Sequence, residues 1–343
     1  MSVPDWPAAW SAAAGRARIR VHAEDFDVRE ELGFEPSGSG EHVFLSLEKR
    51  GLDTLDVVQR LRRLSGVSQR DIGYSGLKDR NAVTQQWFSL GMAGRSDPNW
   101  QALEAEGDIS VIHCTRHNRK LRRGVHRGNR FRLRLRSLEG DTDVLAQRLV
   151  DVQRKGVPNY FGPQRFGRNG STLSQALSWA EGARRQPNRA DRGRYLSVLR
   201  ALLFNTVLAA RVKAGTWEQP VSGDICMLHG SRSFFGCEEV DEELILRAGK
   251  GDIHVGLPLW GGAVSGAAQQ ASAAAAIYLI PYVHLCRFLE QQEMALAWRP
   301  ARMLADDFCW QFCDHGVLQL DFFLGAGSYA TALLAEIVQY GQG

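Results

Sequence analysis

Residues 73–90, GYSGLKDRNAVTQQWFSL, decide how this chain is read. Gly73 and Gly76 free the backbone to turn just ahead of Lys78-Asp79-Arg80. Behind the triplet, Ala82, Val83, Trp87, Phe88 and Leu90 supply apolar anchors, so a packed segment holds the turn. A carboxylate between two cations stays ionised near neutral pH, because opposite charges favour the charged form. Beside a Gly-rich turn such a group can serve as nucleophile, general base or metal ligand. Taken alone, a Lys-Asp-Arg triplet is equally a solvated surface turn.

The surrounding residues add a resemblance. Gly76, Lys78, Asp79, Arg80, Ala82, Thr84 and Gln86 fit the signature of the TruD family of pseudouridine synthases, Ala/Ser-Gly-x-Lys-Asp-Arg/Lys-x-Ala-x-Thr-x-Gln. In that family the aspartate is the catalytic nucleophile, so the resemblance implies that role for Asp79.

Outward from this stretch, the 343 residues suffice for one large domain or two ordinary ones, and 44% hydrophobic content can build a core. The net charge of +4 is unevenly spread. Residues 113–136, HCTRHNRKLRRGVHRGNRFRLRLR, hold ten Lys/Arg and no Asp/Glu, which leaves −6 for the remainder. A basic strip on an acidic body is the footprint of a polyanion binder. Within it, residues 116–123 are an aperiodic cation cluster, whereas Phe131, Leu133 and Leu135 alternate with arginines as in a strand with one buried face. Because like charges repel unless an anion is bound, the strip predicts phosphate contact.

Six cysteines include no C-x-x-C pair. Cys309 and Cys313 lie on an alternating stretch, and four residues of strand span roughly 13 Å, too far for two thiolates on one zinc. They are read as reduced thiols. Residues 1–15 lack the cations of a signal peptide, and residues 1–16 are expected to be loosely held. The Ala-rich run 273–283, interrupted by Pro281, reads as far short of a membrane span. A cytoplasmic location is expected.

Residues 18–30 alternate like a strand containing Phe26. The Gly-Ser-Gly at 38–40 lacks the Lys-Ser/Thr ending of a P-loop. Residues 43–47 read as a strand, and 54–64 as a helix with Leu55, Val58, Leu61 and Leu64 on one face. Residues 143–155 form a second amphipathic pattern stopped by Gly156. VPNYFGPQRFGRNG, residues 157–170, mixes aromatics with arginines, as suits base stacking or a structured loop. From 171 to about 300 the pattern is mostly helical. Gly325-x-Gly327-x-x-Ala330 imitates a dinucleotide fingerprint, but the chain ends too soon for the acidic second strand that motif needs.

Three of these segments extend the TruD resemblance in matching order: Gly-Asn-x-Phe at 128–131, Pro-Asn-Tyr-Phe-Gly at 158–162, and Gly-Ser-Tyr-Ala-Thr at 327–331, where many relatives have Phe in place of Tyr329. The resemblance implies an α+β fold: a mixed, mostly antiparallel sheet flanked by helices, with an inserted, largely helical α+β domain. It implies a catalytic domain at 1–154 plus 304–343 and an insertion at 155–303. The implied reaction is conversion of uridine to pseudouridine in tRNA, typically at position 13, without cofactor or metal. Asp79 would attack ribose C1′ or uracil C6. Phe131, Phe26 and Tyr329 would receive the base, Asn129 would orient it, and Arg20 would pair with Asp79. Arg116, Arg119, Lys120, Arg122, Arg123 and Arg165 would hold RNA phosphates. The expected partner is tRNA, bound by a monomer. Two competing readings are a non-catalytic structured-RNA-binding protein and a glycosidic hydrolase. The latter would need a second carboxylate near Asp79, such as Asp25, Asp27 or Glu30.

Overall fold

The computed structural model describes residues 3–10, 12–262 and 265–342. The chain opens through β1 (Gly15–Ile19), β2 (Phe26–Glu31), β3 (His42–Arg50), α1 (Thr54–Ser65), β4 (Ile72–Tyr74), β5 (Val83–Gly91), β6 (Ile109–His117) and β7 (Gly128–Gly140). It continues through α2 (Thr142–Lys155), β8 (Val157–Pro158), α3 (Ser171–Ala180), α4 (Arg189–Lys213), β9 (Ile225–Leu228), β10 (Phe234–Gly236) and α5 (Glu242–Lys250). Next come β11 (Ile253–Leu259), α6 (Ala267–Ala276), α7 (Val283–Gln291), β12 (Ala297–Pro300) and β13 (Arg302–Met303). The return leg is β14 (Asp306–Cys313), β15 (Val317–Gly325), α8 (Ala330–Ile337) and β16 (Val338–Gln342).

These elements form two units. The sheet unit comprises Gly15–Thr142, Ala305–Gly327 and Val338–Gly343; the helical unit comprises Met1–Ala14, Asp143–Leu304 and Ser328–Ile337. Packing therefore groups α2, α8 and the N-terminal segment with the helical elements, whereas the expected boundaries ran at 154/155 and 303/304.

The sheet unit is built on ten strands in the order β14-β15-β7-β2-β5-β3-β6, with β1 beside β7 and β16, and β4 beside β5. Within this sheet β2/β5 and β1/β16 pair in parallel, and the other described strand pairs are antiparallel. Period-two burial explains β7: Phe131, Leu133 and Leu135 face the core while the intervening arginines face out. The alternation read across 18–30 is two strands, not one. The chain turns between them at Arg20, whose φ of 58° is left-handed. β16 follows α8 directly, so a strand does come after the Gly-rich turn. It pairs with β1 and its VQYGQ sequence carries no acidic residue, so the turn is no dinucleotide motif.

Asp53 caps α1 by accepting from the N–H groups of Leu55 and Asp56, and Asp56 returns a bond to the Asp53 N–H. The buried face is Val57, Val58 and Leu61, while Leu55 is exposed. Steps of three residues drift by roughly 60° each around a helix, so Leu55 and Leu64 cannot share one face.

In the helical unit, α4 runs through the core and buries Tyr195, Leu199, Leu203, Phe204 and Leu208 among Phe161, Phe166, Leu173 and Trp179. A four-stranded antiparallel sheet, β10-β9-β11-β12, packs in the same unit. The N-terminal segment is not loose. Trp6 stacks on Tyr160 at 6.0 Å, and Tyr160 Oη donates to the Pro7 carbonyl. The Glu336 carboxylate accepts from the Ala9 and Trp10 N–H groups, and Arg148 donates to the Trp10 and Ala12 carbonyls. Burial pushes the Glu336 carboxyl above its usual range.

Among the described residues, two helical stretches, Arg189–Lys213 and Ala267–Gln291, are long and apolar enough to cross a membrane. The first is the core helix α4. The second joins α6 and α7 through the 3₁₀ turn Ile277–Tyr282 containing Pro281. Its 25 residues overturn the expectation of a run far short of a span.

Candidate active site

The turn carrying Asp79 is fastened from three sides. A Cβ on Gly73 would lie 2.2 Å from the Leu121 carbonyl oxygen, so only glycine fits there. The Lys78 N–H donates to Thr54 Oγ1, Thr54 Oγ1 donates to Gln86 Oε1, and Gln86 Nε2 donates to the Gly76 carbonyl. Lys49 is buried and donates to the carbonyls of Leu52 and Asp79, the latter at 3.0 Å. Its burial pushes the ammonium down to about 8, while Asp79 pulls the other way.

The two flanking cations do not serve Asp79. Lys78 Nζ pairs with Glu30 at 2.6 Å, both side chains buried, and Arg80 pairs with Asp56 at 2.7 Å. The three side chains of the triplet thus go to three different partners. The cation on Asp79 is Arg20, with Nη2 to Oδ2 at 2.5 Å. The arginine side chain is 11% exposed and the aspartate 52%, so the carboxylate opens to solvent from a held partner. Arg20 lies 4.1 Å above the centroid of Phe26, in cation–π contact.

Beneath them, Phe26 meets Phe131 edge-to-face at 6.2 Å, and Phe131 stacks on Phe322 at 5.2 Å. Phe26 and Phe131 are both largely buried. Asn129, two residues earlier on β7, stands opposite Glu30 of β2. Its Nδ2 lies 3.5 Å from His126 Nε2, and its Oδ1 is buried without a hydrogen-bond partner. The structure thus brings Arg20, Asp79 and Phe26 into direct contact, with Phe131 packed against Phe26.

The basic strip is less unopposed than its sequence implies. Folding brings carboxylates to five of its ten cations. Arg116 pairs with Asp97, Arg127 with Glu31, Arg130 with Glu31 and Asp307, Arg132 with Asp321, and Arg136 with Asp25. Lys120 donates to the Arg70 carbonyl, and Arg123 lies over Tyr74 and donates to its hydroxyl. Among the described residues, Arg119 and Arg122 are exposed and have no carboxylate partner. The expectation of ten unopposed charges is corrected: local sequence lacks acids, but neighbouring strands and loops supply them.

Tyr329 and Arg165 belong to the helical unit. Arg165 donates to Ser197 and lies over the Phe161 ring at 5.5 Å, and Tyr329 meets the same ring at 6.1 Å. Arg299 crosses Phe161 at 4.2 Å and donates to Asn159. Its burial pulls the guanidinium down to about 10, with Tyr329 opposing and Arg165 adding to the shift.

Sequence reading missed Lys49, Thr54 and His126 at the site, and named Glu30 only as a possible second carboxylate. Lys49, Thr54 and Glu30 meet partners 30, 24 and 48 positions away, which no local pattern announces.

The architecture and its aspartate turn define an α+β protein of pseudouridine synthase type. The fold matches a solved TruD structure from Methanosarcina mazei with a TM-score of 0.64 at 20% identity, over 98% of this chain and 95% of that one. The family model for tRNA pseudouridine synthase D (TruD) matches residues 9–175 and 173–337. A protein named tRNA pseudouridine synthase D from Methylococcus capsulatus (strain Bath) is 45% identical, over 98% of this chain and 95% of its own. One of the same name from Nitrosococcus oceani is 43% identical, over 94% and 90%. Another from Pseudomonas aeruginosa PAO1 is 43% identical, over 97% and 93%. The chain belongs to the TruD family.

Proposed function

We propose that this protein is a tRNA pseudouridine synthase that isomerises uridine, at position 13, with Asp79 as nucleophile. The family supports tRNA pseudouridine synthesis as the activity. The observation that carries the chemical assignment is the Arg20–Asp79 pair, seated on Phe26 above a turn pinned by Lys49 and Gln86. A nucleophile that opens to solvent yet is held at backbone and carboxylate loses little orientational freedom on reaching its target.

In this reading the RNA backbone meets Arg119 and Arg122, with Lys120 and Arg123 beside them. The target nucleotide leaves its stack, because an enclosed base is out of reach. Phe26 and Phe131 form the floor under it, and Asn129 hydrogen-bonds its edge. Asp79 attacks C1′ or adds at C6. The N1–C1′ bond breaks, the uracil turns, C1′ joins C5, and the bond between Asp79 and the substrate breaks to return the carboxylate. The C5 proton leaves and N1 gains one, so substrate and product are isomers. Arg20 balances the carboxylate charge before and after the attack. Tyr329 is assigned to the base and Arg165 to phosphate. Residues 1–154 and 304–343 are the catalytic domain and 155–303 the insertion, in a cytoplasmic monomer.

The test is to map pseudouridine in tRNA treated with the wild-type protein and with Asp79→Asn. The reading expects one new pseudouridine, at position 13, with wild type and none with the variant, while both bind tRNA alike. Full activity in the variant sinks the assignment of Asp79.

A further inference from the structure

His126 closes the basic loop just before β7, where it is enclosed by groups of three elements. Glu30 of β2 and Lys78 of the Asp79 turn are the charged groups acting on it, themselves ion-paired at 2.6 Å. A Cβ on Gly76 would stand 4.0 Å from its Cε1. Its Nε2 faces Asn129 Nδ2 at 3.5 Å. Two atoms of this pair, His126 Nδ1 and Asn129 Oδ1, are buried with no hydrogen-bond partner. Leaving such an atom unsatisfied is costly, so a binding partner that completes it is the natural reason to keep it.

The placement of Asn129 Nδ2 on His126 sets the polarity of the contact. An amide nitrogen only donates, so His126 Nε2 must offer a lone pair, and the imidazole is neutral with its proton on Nδ1. The Asn129 amide is then fixed, with one Nδ2 hydrogen on His126. Its Oδ1 and the second Nδ2 hydrogen remain as an adjacent acceptor and donor. The uracil edge offers the complement, an N3–H beside a carbonyl oxygen. A protonated His126 would donate from Nε2 and draw Oδ1 toward itself. That swing would leave the uracil N3–H facing a second donor.

We propose that His126 is a positioning residue, which holds the Asn129 amide with Oδ1 aimed at N3–H of the target uracil. The inference rests on the reading of Asn129 as a base contact given above. Burial keeps the imidazole below its usual range, with Lys78 adding to that effect and Glu30 opposing it, so the neutral form prevails at neutral pH.

The experiment measures kcat/KM for pseudouridine formation in tRNA from about pH 5 to about pH 8, across the range where a histidine changes charge. It compares wild type, His126→Asn and His126→Phe, with tRNA binding by gel shift as the check on folding. Asparagine retains an acceptor for Asn129 Nδ2 but does not titrate. Wild type should lose kcat/KM as pH falls through the lowered His126 pKa. His126→Asn should stay within about threefold of wild type at pH 8 and lose that acid limb, because its acceptor is retained and about 0.65 kcal/mol is a threefold change. His126→Phe should fall about tenfold at pH 8, the loss of one hydrogen bond of roughly 1.4 kcal/mol. An acid limb that persists unchanged in His126→Asn, or wild-type kcat/KM in His126→Phe, overturns the proposal. Failure of the underlying reading shows separately: an active Asp79→Asn, or wild-type kcat/KM in Asn129→Ala, removes the base contact itself.

Discussion

Arg20 sits in a backbone conformation that non-glycine residues seldom adopt, and its guanidinium is the group that meets Asp79. Left-handed backbone at a non-glycine residue persists when surrounding contacts over-determine it, and such residues gather at functional sites. Removing this cation should therefore affect chemistry more than binding. Arg20→Met is expected to lower kcat by about 10²–10³, the usual cost of losing one preorganised charge partner, with tRNA Kd essentially unchanged. Single-turnover kinetics beside gel-shift titration checks this. A parallel loss of affinity would make Arg20 an RNA contact instead.

Between β2 and the Asp79 turn, Lys78 and Glu30 form an ion pair with both members buried. Breaking it from one side leaves an uncompensated charge. Lys78→Met is expected to cost about 3–5 kcal/mol in urea unfolding, and adding Glu30→Gln should recover much of that loss. No recovery would mean that the pair does not act as a unit. The loop after β6 carries a second prediction. Arg119→Gln and Arg122→Gln should each reduce the salt slope of tRNA binding by about one. Arg132→Gln, whose wild-type side chain is occupied by Asp321, should leave the slope unchanged. A drop with Arg132→Gln would show that strand arginines also reach phosphate.

Across the whole molecule, pH acts on the helical unit through a buried histidine. Arg302 Nε donates to His254 Nδ1, so His254 carries its proton on Nε2 and donates to His229 Nδ1. Burial, with Arg302 and His229 beside it, pulls His254 down to about 3 from 6.5. Between those values the unfolded chain binds more protons than the folded one, so stability rises with pH. The contribution is present above 6.5 and is lost as pH falls toward 3, by up to about 1.4 kcal/mol per unit. Thermal unfolding across this range should show the loss, and His254→Gln should flatten it. The N-terminal segment behaves as part of the same unit through Trp6, Trp10, Arg148 and Glu336, although its composition reads as a loose tail. Aromatic residues near a chain end find distant partners that no local pattern announces.

By itself the sequence determined whatever depends on near neighbours. The glycine-bounded turn at Asp79, the two-residue rhythm of β7, the existence of helix α1 and the order of the family segments were all legible, because backbone preference and periodicity act over a few residues. Tertiary structure alone decided which charge meets which. Glu30 reaches Lys78 across 48 positions, Arg20 reaches Asp79 across 59, Asp25 reaches Arg136 across 111, and Arg130 reaches Asp307 across 177. Coulomb attraction follows distance in space, and strand order sets that distance without regard to separation along the chain. That is why a triplet read as one acid between two cations became three separate ion pairs.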